Sequence, residues 1–354
     1  MLVFERPEFA NHEFVGFVTD PAAGLRAVIA IHNSVLGPAA GAVCMHPHTA
    51  TADALSEALR RSRQMTCKCA LADLPMGGGA AIIVGEPARD KSAALLEAFG
   101  RAIERVGGLS LHDRGVGITP DDMSTIRRRT GLVVDRPNRQ DEAAPAIGFG
   151  VYQAIRAGAL FRLGRRQLTG LRVAVLGVGN VGWHLCKHLV ADGIDVFAAD
   201  LDDVAVAQAV DAYGIVPVPL DELHCLDVDI LAPCLEGETL TEAMVRELRA
   251  KIVCGGADGQ MADGRLGSAL AGRGILHVPD YVANAGGLIS DLSDLYGMSR
   301  QAVERRVAAI HDTCLRVFAR AEADGVATSA AAERMALEIV SERITARSAS
   351  TAVA

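Results

Sequence analysis

The chain is poor in aromatic residues, which make up only 4% of its 354 residues although 50% of them are hydrophobic. Such a core is packed from Ala, Val and Leu, as in helical and α/β proteins. No apolar run reaches the ~18 residues that a membrane span needs. The stretch MLVFERPEFANHEFV carries early acidic residues and no apolar segment of the signal-peptide kind. We therefore expect a cytoplasmic protein with no membrane contact.

Positive charge is also in deficit, since 35 Lys and Arg face 43 Asp and Glu, for a net charge of −8. A nucleic-acid surface needs a basic face, so we expect no nucleic-acid partner. The eight cysteines include no C-x-x-C pair, and Cys67 and Cys69 are too close for usual zinc spacing. We expect buried free thiols in a reducing compartment and no metal site.

The length predicts two domains, because single cores rarely grow so large. The polar stretch DRPNRQDEAAP (135–145) is the expected joint. We predict an α/β substrate-binding and oligomerisation domain over 1–140 and a dinucleotide-binding domain over 141–289. Helices over 290–345 are expected to pack back on the first domain, and 346–354 to form a flexible tail.

Local patterns predict individual elements in both parts. In the first part, strands are predicted at 25–33 and 80–85, and helices at 49–73 and 91–108. Thr51 or Asp53 is the expected cap of the first helix. In the second part, six short apolar runs alternate with helical ones. The runs are VAVLGV, DVFAAD, VPVPL, DILAPC, KIVCGGA and ILHVPD. This alternation favours a parallel sheet with helices on both faces, which is a Rossmann arrangement.

The stretch GVGNVG, Gly177–Gly182, fits the pattern G-x-G-x-x-G in its proper context. It follows an apolar strand and opens a helix, and Asp200 ends the next strand. Bare backbone and a helix N-terminus accept a pyrophosphate, and an acid about 20 residues on bonds a ribose hydroxyl. Asp202 and Asp203 would repel a 2′-phosphate. The motif therefore favours NAD as the cofactor.

A second glycine-rich stretch is PMGGGAAIIVG, Pro75–Gly85. Glycine serves where backbone approaches another group closely or where φ is positive. We interpret the triad Gly77 to Gly79 as a loop that holds a small molecule against bare backbone. The residue that follows, Ala80, has no side chain able to do chemistry.

With MTCK (65–68) and PDYVANAGGLI (279–289), these motifs together resemble the leucine/phenylalanine/valine dehydrogenase family of NAD-dependent amino-acid dehydrogenases. The resemblance spans about residues 15 to 330. It implies an N-terminal substrate domain, an NAD domain, a homo-oligomer, and interconversion of an L-amino acid with a 2-oxo acid. It also implies that Lys68 and Asn284 bind the substrate carboxylate.

The resemblance implies departures at the catalytic positions. Ala80 stands where the family has its catalytic lysine, and counting without a gap places Gly115 at its catalytic aspartate. Around these positions, Ala42 and Cys44 replace a glycine and an arginine. Ile147 and Asp258 replace a threonine and an asparagine near the nicotinamide.

The expected sites follow from the motifs and from the resemblance. Catalytic candidates are Lys68, and His112, Asp113 and Arg114 as groups that could replace the missing pair. The expected substrate-binding residues are Gly41, Met65, Lys68, Gly77, Gly78, Asn284 and Leu288. The expected cofactor-binding residues are Gly177, Gly179, Asn180, Val181, Gly182, Asp200, Ala232, Cys234, Asp258 and Asn284.

Three functions are compatible with this sequence. The first is an NAD-dependent oxidoreductase of altered chemistry, for example one that reduces a preformed imine of a carboxylate-bearing substrate. The second is an inactive homologue that binds a ligand or joins an active relative in a hetero-oligomer. The third is an ordinary L-amino-acid dehydrogenase. The missing acid–base pair favours the first, because each such group contributes ~10²–10⁴-fold to the rate.

Overall fold

The computed structural model describes the backbone of residues 3–134, 143–235, 237, 239–261 and 265–351. The side chains of 112–114, 294 and 347–351 lie outside this description, as does most of the expected joint at 135–145. The chain folds into two compact units. The first is Met1–Gln140 with Ala336–Ala354, and the second is Asp141–Met335.

The first unit is built on a five-stranded mixed sheet in the order β1-β2-β4-β3-β5. Its strands are β1 (Phe14–Asp20), β2 (Leu25–Asn33), β3 (Ala39–His46), β4 (Gly77–Val84) and β5 (Leu109–Arg114). Its helices are α1 (Thr51–Leu71), α2 (Pro87–Asp90), α3 (Ala93–Val106) and α4 (Pro120–Arg127). The central strand β4 runs antiparallel to β2 and parallel to β3, and β3 runs parallel to β5.

The two faces of this sheet bury different cores. One face packs on α1 through Val28, Ala30, Cys44 and Ile82, with Leu55 and Leu59 from the helix. The other face carries Ile29, Ile83 and Leu109 and packs on Phe99 and Ile103 of α3. Strand residues alternate between the two faces, as the period of two requires.

The second unit is a six-stranded parallel sheet in the order β11-β10-β9-β6-β7-β8. Its strands are β6 (Arg172–Leu176), β7 (Asp195–Ala199), β8 (Val216–Pro217), β9 (Ile230–Pro233), β10 (Ile252–Val253) and β11 (Leu276–His277). Numbered within the unit, this is the order 3-2-1-4-5-6 of a doubly wound dinucleotide fold. All six predicted runs form strands of this sheet, so the predicted fold class is confirmed.

Helices cover the second sheet and complete the chain. They are α5 (Ala143–Leu163), α6 (Asn180–Ala191), α7 (Asp203–Tyr213), α8 (Glu242–Glu247), α9 (Arg265–Gly272), α10 (Asp280–Ala283), α11 (Gly286–Leu295), α12 (Arg300–Ala308), α13 (Ile310–Asp324) and α14 (Thr328–Thr351). Of the helices in the described ranges, none has the length and apolar character to cross a bilayer.

Several local expectations need correction. The N-cap of α1 is Ala50, with no side-chain hydrogen bond, so neither Thr51 nor Asp53 caps this helix. Helices α11 to α13 lie in the second unit, with α11, α12 and α13 packed on α5, and only residues from Ala336 group with the first unit. The boundary between the units therefore falls inside α14. The backbone of α14 is helical to Thr351, beyond the expected start of the tail at 346; the mobility of that tail stays a prediction.

Candidate functional site

The glycine motif of the second unit forms the turn between β6 and α6. Gly177 has φ +99°, which only glycine adopts without strain. A Cβ on Gly177 would meet the backbone of Cys234 and Leu235, and one on Gly182 would overlap the carbonyl oxygen of Gly177. These two glycines are therefore required by the tight turn and by the close approach of helix and strand.

Gly179 differs from both of its partners. It is the N-cap of α6, and a Cβ built on it would meet no atom within 4 Å in the described structure. Packing therefore does not explain this glycine. Backbone left bare toward open space at the N-terminus of a twelve-residue helix is the cradle that a pyrophosphate fits. Asn180 and Val181 open the same helix.

The Asp200 carboxylate lies beside this cradle. Its Oδ2 accepts a hydrogen bond of 2.6 Å from the backbone N–H of Val178, and its Oδ1 accepts one of 3.0 Å from Asp202. A carboxylate has about four acceptor positions, so both oxygens retain capacity for a ribose hydroxyl. Asp200 thus occupies the position that the glycine pattern predicts for a ribose-binding acid.

The two cofactor candidates at the end of β9 have different surroundings. The side chain of Ala232 is fully buried inside the sheet, where β9 pairs with β6, so it has no surface to offer a ligand. Cys234 follows the strand and donates its backbone N–H to Leu176 at 2.7 Å. Burial raises the pKa of the Cys234 thiol to about 12, which disfavours its thiolate form at neutral pH.

Asn284 and Asp258 are brought together by the fold. The Asn284 Nδ2 donates to Asp258 Oδ1 at 2.7 Å and to the carbonyl oxygen of Gly256 at 3.3 Å. These two acceptors fix the orientation of the buried amide. The remaining atom, Asn284 Oδ1, is buried with no hydrogen-bond partner among the described residues. The side chain therefore presents an acceptor, whereas the sequence suggested a donor for a carboxylate.

Ile147 packs against two glycines, Gly256 and Gly287. A Cβ on Gly287 would lie 2.9 Å from its Cγ1, and one on Gly256 would lie 3.4 Å from its Cγ2. The candidate substrate residue Leu288 is buried in α11. Ile147 thus packs an apolar side chain beside Gly256, whose carbonyl oxygen accepts the hydrogen bond from Asn284.

In the first unit, Lys68 lies near the end of α1 with only 8% of its surface exposed. Lysines are almost never fully buried unless their charge is paired. Lys68 is therefore not a solvated residue on the surface of the helix. Met65, one turn earlier, is half-buried.

The glycine triad is part of a strand, which corrects its interpretation as a loop. A Cβ on Gly78 would overlap the Thr66 backbone of α1, and one on Gly77 would overlap the carbonyl oxygen of Asn33. A Cβ on Gly41 of β3 would press on the backbone of Gly79, at 2.7 Å. The space beside this bare backbone is filled by the protein itself, because helix and strands approach too closely for side chains. Both ladders of β4 also occupy the polar groups of this backbone.

Ala80 lies in the middle of the same strand with 1% of its surface exposed. It pairs with Ala30 on one side and Ala42 on the other. The pairing of β3 with β5 shifts by one residue at this level. Gly41 pairs with Leu111 and Ala42 pairs with Asp113, so His112 is an extra residue in β5. The backbone of Asp113 thus shares a row with Ala80, two strands away.

Gly115 follows β5 and donates its backbone N–H to Val43 at 2.8 Å. A Cβ built on it would overlap the Sγ of Cys44, which is fully buried. Two positions singled out separately in the sequence are therefore one packing contact.

Comparisons with known proteins identify the family to which this fold belongs. Residues 12–139 match the family described as "Glu/Leu/Phe/Val dehydrogenase, dimerisation domain". Residues 199–348 match "Glutamate/Leucine/Phenylalanine/Valine dehydrogenase". The chain belongs to this amino-acid dehydrogenase family, which confirms the family resemblance.

Individual relatives cover nearly the whole chain. A leucine dehydrogenase of Bacillus cereus is 38% identical over 98% of this chain and 95% of its own length. The crystal structure of L-tryptophan dehydrogenase from Nostoc punctiforme is 37% identical, covering 97% of this chain and 99% of its own, with a TM-score of 0.82. The structure of a hetero-hexameric glutamate dehydrogenase from Thermus thermophilus in a leucine-bound form is 25% identical, covering 96% and 91%, with a TM-score of 0.75.

Proposed function

We propose that this chain is an NAD-dependent oxidoreductase that transfers hydride at a C–N centre of a small, carboxylate-bearing substrate. Its chemistry differs from ordinary oxidative deamination, and the proposed reaction is reduction of a preformed imine. In that reaction a hydride adds to the carbon of the C=N bond and a proton adds to the nitrogen, giving an amine.

The cradle at Gly179 supports a dinucleotide. Gly179 would place bare backbone against the pyrophosphate, while Asp200 would bond the ribose. Asp200, Asp202 and Asp203 form a run of negative charge at one strand end, which disfavours a 2′-phosphate. The chain's residues therefore fit NAD better than NADP. When bound, the reduced cofactor supplies the hydride.

The burial of Lys68 supports a substrate with a carboxylate. A buried ammonium group attracts an anion strongly because the local dielectric constant is low. We assign Asn284 a different part from the one the resemblance implies. Its unpartnered Oδ1 suits an N–H group, such as the nitrogen of the substrate or the amide of nicotinamide.

The observation that carries the altered chemistry is the packing at Ala80 and Gly115. Ala80 is buried in a sheet row of alanines, and the space beside Gly115 is taken by Cys44. Neither position supplies a proton. Adding water to an imine needs proton transfers, whereas hydride transfer depends mainly on positioning. Asp113, in the row of Ala80, is our candidate for the remaining acid, with His112 beside it.

A second candidate is an ordinary L-amino-acid dehydrogenase. It is favoured by relatives that match over nearly the full chain, among them enzymes named for leucine and tryptophan. On this alternative, residues other than Ala80 and Gly115 would supply the proton transfers.

We also propose that the chain forms a homo-oligomer through its first unit, as the name of the matched dimerisation domain suggests. Strand β1 lies at the edge of the sheet, and Phe17 on it is exposed. An unpaired edge with an exposed ring is a surface that a second copy would cover. A mixed oligomer with an active relative is the alternative, and one hetero-hexameric neighbour favours it.

The test is a titration of NADH and NADPH by fluorescence, followed by oxidation of NADH with defined substrates. The substrates are 4-methyl-2-oxopentanoate or indole-3-pyruvate with ammonium, and the preformed cyclic imine 1-pyrroline-2-carboxylate. Turnover of the imine alone supports the proposal. Turnover of an oxo acid with ammonium at ordinary enzyme rates would instead establish the second candidate.

Lys68→Met tests the carboxylate grip, and Arg60→Met is its matched control because Arg60 is an exposed cation on the same helix. We expect only Lys68→Met to raise KM for the imine, with NADH affinity unchanged. Tight NADH binding without turnover of any substrate would favour an inactive ligand-binding homologue.

A further inference from the structure

A second cluster of chemically active side chains lies in the first unit, on the face of the sheet that packs against α1. Cys44 and His46 are two residues apart on β3, so they point to the same face. Glu57, on α1, points back at them. One ligand atom from each residue, a thiol, an imidazole nitrogen and a carboxylate oxygen, lies within 4.8 Å of the other two.

The spacing within this cluster is that of ligands around one ion. His46 Nε2 lies 3.4 Å from Glu57 Oε1. Two ligands bound to tetrahedral zinc at ~2.1 Å lie about 3.4 Å apart. His46 Nε2 is buried and has no hydrogen-bond partner among the described residues, so the contact with Glu57 lacks hydrogen-bond geometry. A buried ring nitrogen that makes this ion-pair contact but no hydrogen bond can coordinate a metal ion once it is deprotonated.

Two further groups hold the carboxylate of Glu57. His48 Nε2 lies 2.7 Å from Oε2, and Arg61 Nε lies 2.6 Å from Oε1. Contacts of this kind orient a ligating carboxylate in metal sites. The positive charge of Arg61 also balances the negative charge of Glu57. A metal ion would therefore compete with Arg61 for Oε1.

We propose that Cys44, His46 and Glu57 form a zinc-binding site, with His48 as the supporting residue beside it. Thiolate and imidazole donors select zinc over magnesium or calcium, which prefer oxygen ligands. The site joins β3 to α1 and lies next to Gly115, whose missing Cβ leaves room for the thiol. Its role would be to fix this corner of the first unit.

The sequence contained a signal for this site that spacing rules for zinc did not cover. The pattern Cys44-x-His46 is period-two spacing, which in a strand directs donors to one face, and His48 follows two residues beyond the end of β3. The fourth contributor, Glu57, is distant in sequence, and only the packing of α1 on the sheet reveals it.

The test uses cobalt as a spectroscopic probe for zinc. The full chain is stripped with a chelator, dialysed and titrated with CoCl₂, and near-ultraviolet absorption is recorded. We expect a thiolate-to-cobalt charge-transfer band that saturates at one equivalent and is displaced by ZnCl₂. Zinc should also raise Tm, because an ion that binds only the folded state stabilises it.

Variants decide which residues are responsible. Cys44→Ser should abolish the band. His48→Gln should weaken cobalt binding about tenfold to hundredfold, as loss of a supporting residue does, and His46→Gln should weaken it further. The matched control is Cys225→Ser. Cys225 lies with His224 and Glu247 in a more exposed group of the same three residue types in the second unit.

Some results would overturn the proposal. These are the absence of a charge-transfer band in the unmodified chain, a band that survives Cys44→Ser, or a band lost in Cys225→Ser alone. Circular dichroism establishes that each variant is folded. If Cys44→Ser does not fold, His46→Gln decides instead: a folded His46→Gln chain with unchanged cobalt affinity refutes the assignment.

Discussion

The sulfur of Cys44 occupies the space in which a side chain on Gly115 would begin. Cys44 is on β3 and Gly115 follows β5, and the two strands are neighbours. The resemblance assigns an arginine and an aspartate to these positions in the family. A small thiol and a glycine are thus in direct contact at these two positions. A substitution at either position therefore has to accommodate the residue at the other.

The first prediction concerns this contact. Gly115→Ala should destabilise the chain by roughly 1–3 kcal/mol, because the added Cβ forces Cys44 to move in a packed core. Cys44→Ala in the same chain removes the obstructing sulfur and should recover most of this loss. Urea unfolding of the two single variants and the double variant measures the coupling. Purely additive effects would show that the two side chains do not interact.

The second prediction separates two glycines of one motif. Gly179→Ala should fold with an unchanged Tm, since its Cβ meets no protein atom within 4 Å, yet NADH binding should weaken at least about tenfold. Gly182→Ala should instead lower Tm, because its Cβ overlaps the Gly177 carbonyl. Thermal unfolding and NADH fluorescence are measured for both variants. Normal NADH affinity in a folded Gly179→Ala chain would show that the pyrophosphate does not bind at this turn.

The third prediction concerns the choice between NAD and NADP. Asp200→Asn should weaken NADH binding roughly tenfold to hundredfold, as expected for loss of a charged hydrogen-bond acceptor, and should narrow the preference for NADH over NADPH. Asn retains one acceptor, which can serve the Val178 N–H, whereas the Asp202 N–H loses its acceptor. The control is Asp203→Asn, an exposed acid at the start of α7, which should leave NADH affinity nearly unchanged. Equal effects of the two variants on NADH affinity would show that Asp200 acts only through its negative charge and makes no specific hydrogen bond to the ribose.

The fourth prediction concerns acid stability. Burial lowers the pKa of His277 to about 4, from 6.5, and neither ring nitrogen has a partner among the described residues. Below pH 6.5 the unfolded chain takes up a proton that the folded chain does not accept until near pH 4. Stability should therefore fall as pH drops through this window, by up to roughly 3 kcal/mol from this residue.

His277→Leu tests this origin of the acid sensitivity. The variant should lose less stability between pH 6.5 and pH 4 than the parent chain, as measured by urea unfolding at several pH values. Burial also lowers the pKa of His32 to about 4, and His32 is present in both chains. Part of the fall of stability with pH should therefore remain in the variant. An unchanged slope in the variant would show that His277 is already charged in the folded state.

The sequence predicted the second unit well because its signals are local. Short apolar runs identified all six strands, and the turn from Gly177 to Gly182 lies within one strand–helix connection. The residues of the first unit were harder to interpret. Gly77 and Gly78 resembled a ligand-binding loop. Glycine is required at these positions because Asn33 and α1, which are distant in sequence, approach too closely for a side chain.

Contacts between separate elements could not be predicted from the sequence, because they join residues that are distant along the chain. Nothing near Cys44 indicates that Gly115 faces it or that Glu57 lies beside His46. Asn284 was expected to donate to a carboxylate, yet its amide is committed to Asp258 and Gly256. Such pairings arise from strand register and helix packing, which no local pattern encodes.

The extra residue at His112 in β5 has a consequence for the evolution of this sheet. Strand residues alternate between the faces, so an inserted residue exchanges the faces of all that follow it. Past this bulge, the face to which a residue belongs depends on how many residues the strand contains as much as on which they are. A single-codon deletion there would exchange the faces of the strand residues that follow, without any substitution.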